Sequence, residues 1–189
     1  RFSDKVGNKN IKILADHVNN VQGEISTNIN NAQIDNNGKK IGKSIVDIFE
    51  PARKEKLTDA FNDYLFNLSN ISRHKQGKGS LMPLNESETL VKEYEKAYPQ
   101  MKEWAKDVNN YNKNLLYKQA EAGLISKDTA DYFNKKYSFY VPFIENIDTI
   151  RTNDTGKIIT KSTVKTARGG SSKNLLAFEE AMIRQTQSA

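Results

Sequence analysis

The stretch that decides the fold runs from Tyr98 to Phe143 and reads YPQMKEWAKDVNNYNKNLLYKQAEAGLISKDTADYFNKKYSFYVPF. Pro99 suits the first turn of a helix, where a missing N–H costs nothing. Behind it Met101, Trp104, Ala105, Val108, Tyr111, Leu115 and Leu116 recur at helical spacing and give one long helix an apolar face. Gly123 is placed to end that helix in the left-handed conformation, with Leu124 folding back on the last turn. Ser126 then starts a short helix with Ala130 and Phe133 inward. Tyr137–Phe143 alternates aromatic and small residues and closes in Val-Pro, so it is expected to be extended.

Working towards the N-terminus, Asn85 and Glu88 have the spacing of a capping box, predicting a helix with Leu90, Tyr94 and Ala97 inward. Leu57, Phe61, Tyr64, Leu65, Leu68 and Ile71 form the wide apolar face of another helix, opened by Pro51 and fading in the basic loop RHKQGKGS at 73–80. Ile41, Ile45, Ile48 and Phe49 predict a shorter helix that stops before Pro51, whose ring disfavours helix at Glu50. Ile11, Leu14, Val18, Val21, Ile25 and Ile29 lie on one stripe of a helix from about Lys9 to Ala32, ended by the DNNG run at Asp35–Gly38. Three heptads are too few to establish a coiled coil, but packing against a partner helix, and oligomerisation through it, is the expectation.

Beyond residue 146 the character changes. TNDTGKIIT reads as a small hairpin around Asn153–Gly156, and TVKTARGGSSKN as a polar, basic, glycine-rich arm. A last amphipathic helix uses Leu175, Leu176, Phe178, Ala181, Met182 and Ile183. The sequence therefore predicts a mainly α protein: an irregular multi-helix bundle with an extended aromatic segment and a basic, hairpin-containing arm. Residues 1–145 form the helical domain, with N-terminal helices over 1–50 and the helical core over 51–145. Residues 146–174 form the arm, and 175–189 a C-terminal helix expected to continue in a longer parent polypeptide.

Composition narrows the chemistry. With 189 residues, 37% hydrophobic and 28% charged, the core is thin for the chain length. There is no cysteine, which removes disulfides and thiolate metal sites. No apolar run approaches the ~20 residues of a membrane-spanning helix. The net charge of +6 is uneven: residues 1–80 contribute +4, residues 81–145 contribute −1 and residues 146–189 contribute +3. Basic ends on a neutral middle permit contact with nucleic acid or an acidic partner without requiring it.

The motifs that would carry catalysis are incomplete. GKKIGKS at Gly38–Ser44 has three residues before its Gly-Lys pair, where a phosphate loop needs four, and no apolar strand precedes it. A calcium loop with Gly38 at its sixth place would put Gln33 first and Ser44 last, where Asp and a bidentate Glu are needed. His17 and His74 lack spaced ligand partners. Glu121, Glu179 and Glu180 are the carboxylates nearest apolar residues, and no serine sits in a Gly-x-Ser-x-Gly elbow. No enzyme, cofactor or metal site is read from the residues. The groups placed to meet phosphates are Arg73, Lys75 and Lys78 in the basic loop, with His74, and Arg151, Lys157, Lys161, Lys165, Arg168 and Lys173 in the arm. Tyr137, Phe139 and Tyr140 can stack on bases, but continuity with Val141-Pro142-Phe143 favours a place over the core.

The segments YPQMKEWAKDVNNYNKNLL, EAGLISKDTADYF and KYSFYVPF, in that order, resemble a helical region, without an assigned activity, of the large phage and prophage polyvalent proteins. YLFNLSNISR at 64–73, Ala167–Ser171 and EEAMIRQT at 179–186 extend the resemblance over roughly residues 55–189. It implies a phage-encoded module acting among other phage proteins or with the rest of its parent polypeptide, in the virion interior or the host bacterial cytoplasm. Some such proteins are carried in the particle and ejected with DNA. The resemblance brings no catalytic residue with it. The expectation is a non-enzymatic structural or interaction module. The alternatives are a nucleic-acid-binding module using the 151–173 arm and an enzyme fragment with its active residues elsewhere.

Overall fold

The computed structural model describes residues 3–77, 82–136, 139, 151–152, 158–159 and 178–188. Among them the protein is mainly helical: α1 (Ser3–Asn30), α2 (Ile45–Lys54), α3 (Thr58–Lys75), α4 (Leu84–Ala97), α5 (Met101–Glu121), α6 (Lys127–Lys136) and α7 (Phe178–Ser188). Two short antiparallel pairs interrupt them, β1 (Gln33–Ile34) with β2 (Lys40–Gly42), and β3 (Arg151–Thr152) with β4 (Ile158–Ile159). The second pair matches the hairpin expected around Asn153–Gly156, and its turn lies outside the described residues. Of the aromatic segment only Phe139 is described, and it packs half-buried against the core.

The core is built on α5. Met101, Trp104, Ala105, Val108, Tyr111 and Leu115 are buried along it, the stripe predicted from spacing. Phe61 of α3 sits between Trp104, at 5.4 Å and edge-on, and Phe49 of α2, at 5.7 Å. Such tilted pairs add to what area burial supplies. The end of α5 is a Schellman turn: Gly123 has φ +77° and donates to Ala120 O, while Leu124 N donates to Gln119 O. The apolar half of the motif is missing, because Leu124 is 62% exposed rather than folded back. Ser126 Oγ accepts from Thr129 N, starting α6 as predicted, with Ala130 fully buried.

Several expectations need correction. DNNG does not stop the helix, since α1 ends at Asn30 before β1; Asp35 Oδ1 accepts from Asn37 N and Lys39 N, turning the chain from β1 into β2. Ile41 therefore belongs to a strand and not to the following helix. That helix, α2, does not stop before Pro51 but runs through it, so Pro51 does not open the next helix, which starts at Thr58. An interior proline costs about 3 kcal/mol. Against that stand the fully buried Ile45, Ile48, Phe49 and Ala52, the larger three worth about 1.5–3 kcal/mol each. Arg53 also donates to Val46 O at 2.9 Å, a side-chain bond that spans the turn containing Pro51. Finally, α4 begins at Leu84 with no side-chain cap, so the Asn85–Glu88 capping box does not form. Ser87 and Val91 are its buried positions, and Ala97, expected inward, is exposed.

Candidate functional site

Two of the nine cations predicted to meet phosphates have described side chains. Arg73 is half-buried and Lys75 exposed, both in the last turn of α3 with exposed His74 between them. Three basic residues there face the negative end of the helix dipole, which stabilises the helix whatever else they contact. Arg151 is placed only by its backbone, in β3. Lys78, Lys157, Lys161, Lys165, Arg168 and Lys173 lie outside the described residues, as do Tyr137 and Tyr140. The structure thus brings Arg73 and Lys75 together on one helix end.

Polar chemistry that the sequence reading missed is concentrated where helices meet. Tyr64 of α3 is 1% exposed, and its hydroxyl donates to Glu95 Oε1 of α4 at 3.0 Å. Lys102 of α5 meets the other oxygen, Oε2, at 2.8 Å. One carboxylate therefore ties three helices. Burial, reinforced by the Glu95 charge, pushes the Tyr64 hydroxyl well above the usual tyrosine range. A hydroxyl held neutral and donating is not a nucleophile at neutral pH, and both oxygens of Glu95 are engaged. Next to them Tyr94 donates to Asp63 Oδ2 at 3.4 Å, and its ring meets Tyr64 edge-on at 6.2 Å.

A second tie anchors the β1–β2 hairpin to α5. Gln33, 2% exposed, donates to Tyr111 O at 2.9 Å and accepts from Asn114 Nδ2 at 2.9 Å. Lys118 is ion-paired with Glu24 of α1 and donates to Ile34 O, while Lys43 meets Asp107 at 2.7 Å. A third tie holds α7. Arg53 meets Glu179 at 2.6 Å, Phe178 N donates to Asn62 Oδ1 at 3.2 Å, and the Tyr111 hydroxyl lies 2.9 Å from Thr186 Oγ1. Burial pushes the Tyr111 hydroxyl up to about 12. A fourth lies between α3 and the start of α4, where fully buried Asn70 donates to Ser87 Oγ at 2.9 Å and to Met82 O at 3.0 Å.

What these groups can do chemically is hold helices at fixed separations and angles. Among the described residues no three His, Cys, Asp or Glu side chains converge as a metal site would require. Also among them, no helix is long and apolar enough to cross a membrane. Hydropathy spacing could not have found the ties, because it assigns Gln33, Asn70, Ser87 and Glu95 to the solvated face. The available signal was weaker: polar residues at apolar phase, such as Asn70 between Phe66 and Ile71. No family model, curated protein or solved structure matches the chain.

Proposed function

We propose that the chain is a non-enzymatic structural and interaction module of a larger phage-encoded protein, working in the virion interior or the host cytoplasm. The observation that carries the non-enzymatic part is the use made of its buried polar groups. Tyr64, Glu95 and Lys102 join α3, α4 and α5; Gln33 and Asn114 join the hairpin to α5; Tyr111 and Thr186 join α5 to α7. Each of these groups is directed at another element of the same chain, which sets geometry. The interaction part is supported by α1, whose middle turns stand exposed with an apolar stripe on them. The phage setting rests on the ordered resemblance of residues 55–189 to the polyvalent proteins.

Peptide mass spectrometry of nuclease-treated, gradient-purified particles from the strain that encodes the chain tests this placement. Peptides from the α3–α5 region are expected to co-purify with particle proteins, or to appear in host cytoplasm in complexes with other phage proteins. Recovery only as a free protein, with no phage partner in either fraction, would overturn it.

A further inference from the structure

We infer that the exposed turns of α1 form a parallel two-stranded coil with the same turns of a second copy of this chain. The inference rests on the reading of the chain as an interaction module and names that module's partner. Asp16 and every residue from Val18 to Gly23 are exposed, so this part of α1 stands clear of the bundle on all sides. Among the described side chains of α1, burial begins near Glu24, which is paired with Lys118, and Asn28, which is 4% exposed. Val18 and Val21 are 44% and 41% exposed, large apolar groups left in water on one side of a solvated helix. Most of the stability of a helix in a protein comes from packing of its apolar face rather than from propensity. This one carries Gly7 and Gly23 and asparagine at 8, 10, 19 and 20, all poor helix formers. A covering partner supplies the stability that its own propensity does not.

The pattern specifies what covers it. Ile11, Leu14, Val18, Val21 and Ile25 alternate steps of three and four residues, the a and d places of a coiled coil. β-Branched Ile11, Val18 and Ile25 fall at a with Leu14 at the first d place, the arrangement of two parallel strands, while the second d place holds β-branched Val21. The flanking e and g places hold Asn10, Ala15, His17, Gln22, Glu24 and Ile29. Their one carboxylate is already taken by Lys118, so no charge code selects a different partner or repels an identical one. Over residues 3–25 three lysines balance three carboxylates, so two copies side by side carry no net repulsion. From Lys9 to Ile25 the contact is about 25 Å long. That buries less than the ~1,200 Å² of a standard interface, so the pairing is concentration-dependent rather than permanent.

Sedimentation velocity of the 189-residue chain, from about 1 μM to about 1 mM, tests the inference. The weight-average mass is expected to climb from 21.4 kDa towards twice that value, with far-UV helicity rising over the same range. The V18D/V21D variant is expected to stay monomeric throughout. Its bundle should unfold at the same midpoint as the parent, since neither valine is packed into the bundle. Because the chain has no cysteine, V21C reports orientation, and a disulfide dimer through position 21 itself is expected on oxidation. A monomer at every concentration, a dimer indifferent to V18D/V21D, or no cross-link through V21C would each overturn it. A chain that stays monomeric yet co-purifies with phage proteins removes this partner and leaves the reading as a module standing.

Discussion

The tie between Tyr111 and Thr186 gives a prediction whose size follows from the geometry. The two side chains are 2% and 5% exposed, 75 residues apart in sequence, with oxygens 2.9 Å apart. Thr186 Oγ1 also lies 2.8 Å from Met182 O, which can only accept. The threonine proton therefore goes to that carbonyl, and Tyr111 donates to Thr186. Tyr111→Phe removes the donor but leaves Thr186 bonded within α7, so its cost is about 1 kcal/mol, the net worth of a buried hydrogen bond. Thr186→Val keeps the β-branched shape but strands the tyrosine proton in a dry site, costing about 2–3 kcal/mol. The double variant pairs two apolar groups and is less costly than Thr186→Val alone. The coupling read from the cycle is about 1–2 kcal/mol. Urea unfolding of the four proteins, compared at common slope, measures it. Additive single effects, or a Thr186→Val cost below that of Tyr111→Phe, would refute both the donor assignment and the docking of α7 in the core.

Three further outcomes are expected. Tyr111 is raised from an ordinary value of about 10 to about 12 in the folded chain. Its contribution is therefore fully present below about pH 10 and lost as the pH climbs towards about 12, because the folded state holds the proton more tightly. Denaturation across that alkaline range should show the loss, and Tyr111→Phe should remove the share due to Tyr111 while leaving that due to Tyr64, whose hydroxyl is also raised. Gly42→Ala places a methyl carbon 2.9 Å from Gln33 Oε1, an atom fixed by Asn114, and is expected to cost about 1–3 kcal/mol by the same urea assay. Lys56, with φ 59°, occupies the left-handed place of the turn ending α2, donating to Arg53 O while Leu57 N donates to Ala52 O. Relieving that strain with Lys56→Gly should raise the thermal midpoint, a gain of about 0.5–1 kcal/mol after the added freedom of the unfolded chain.

What was legible in the sequence was whatever a helix writes locally. The apolar stripe of α5, the Gly123 turn and the Ser126 start each depend on residues close in sequence, and each appears as read except that Leu124 does not fold back on α5. The failures have two physical sources. Pro51 and Asn85 carry strong local preferences, and tertiary burial overrode both: Phe49 and Ala52 hold α2 through the proline, while packing of Ser87 against Asn70 fixes where α4 begins. The β1–β2 hairpin is too short to show alternation, and its stability comes from Gln33 and Lys118 contacts reaching about 80 residues along the chain. Such pairings leave no local trace. The candidate cations divide likewise, since a run of lysines reports charge but not what the charge meets.

The measurement that most directly tests the central claim is binding of the whole chain to single- and double-stranded DNA across a salt series. A module that acts by packing its helices against other proteins retains neither form, even at low salt. Tight binding that falls steeply with salt, and disappears when residues 151–173 are deleted, would contradict the account and make the basic arm the functional element.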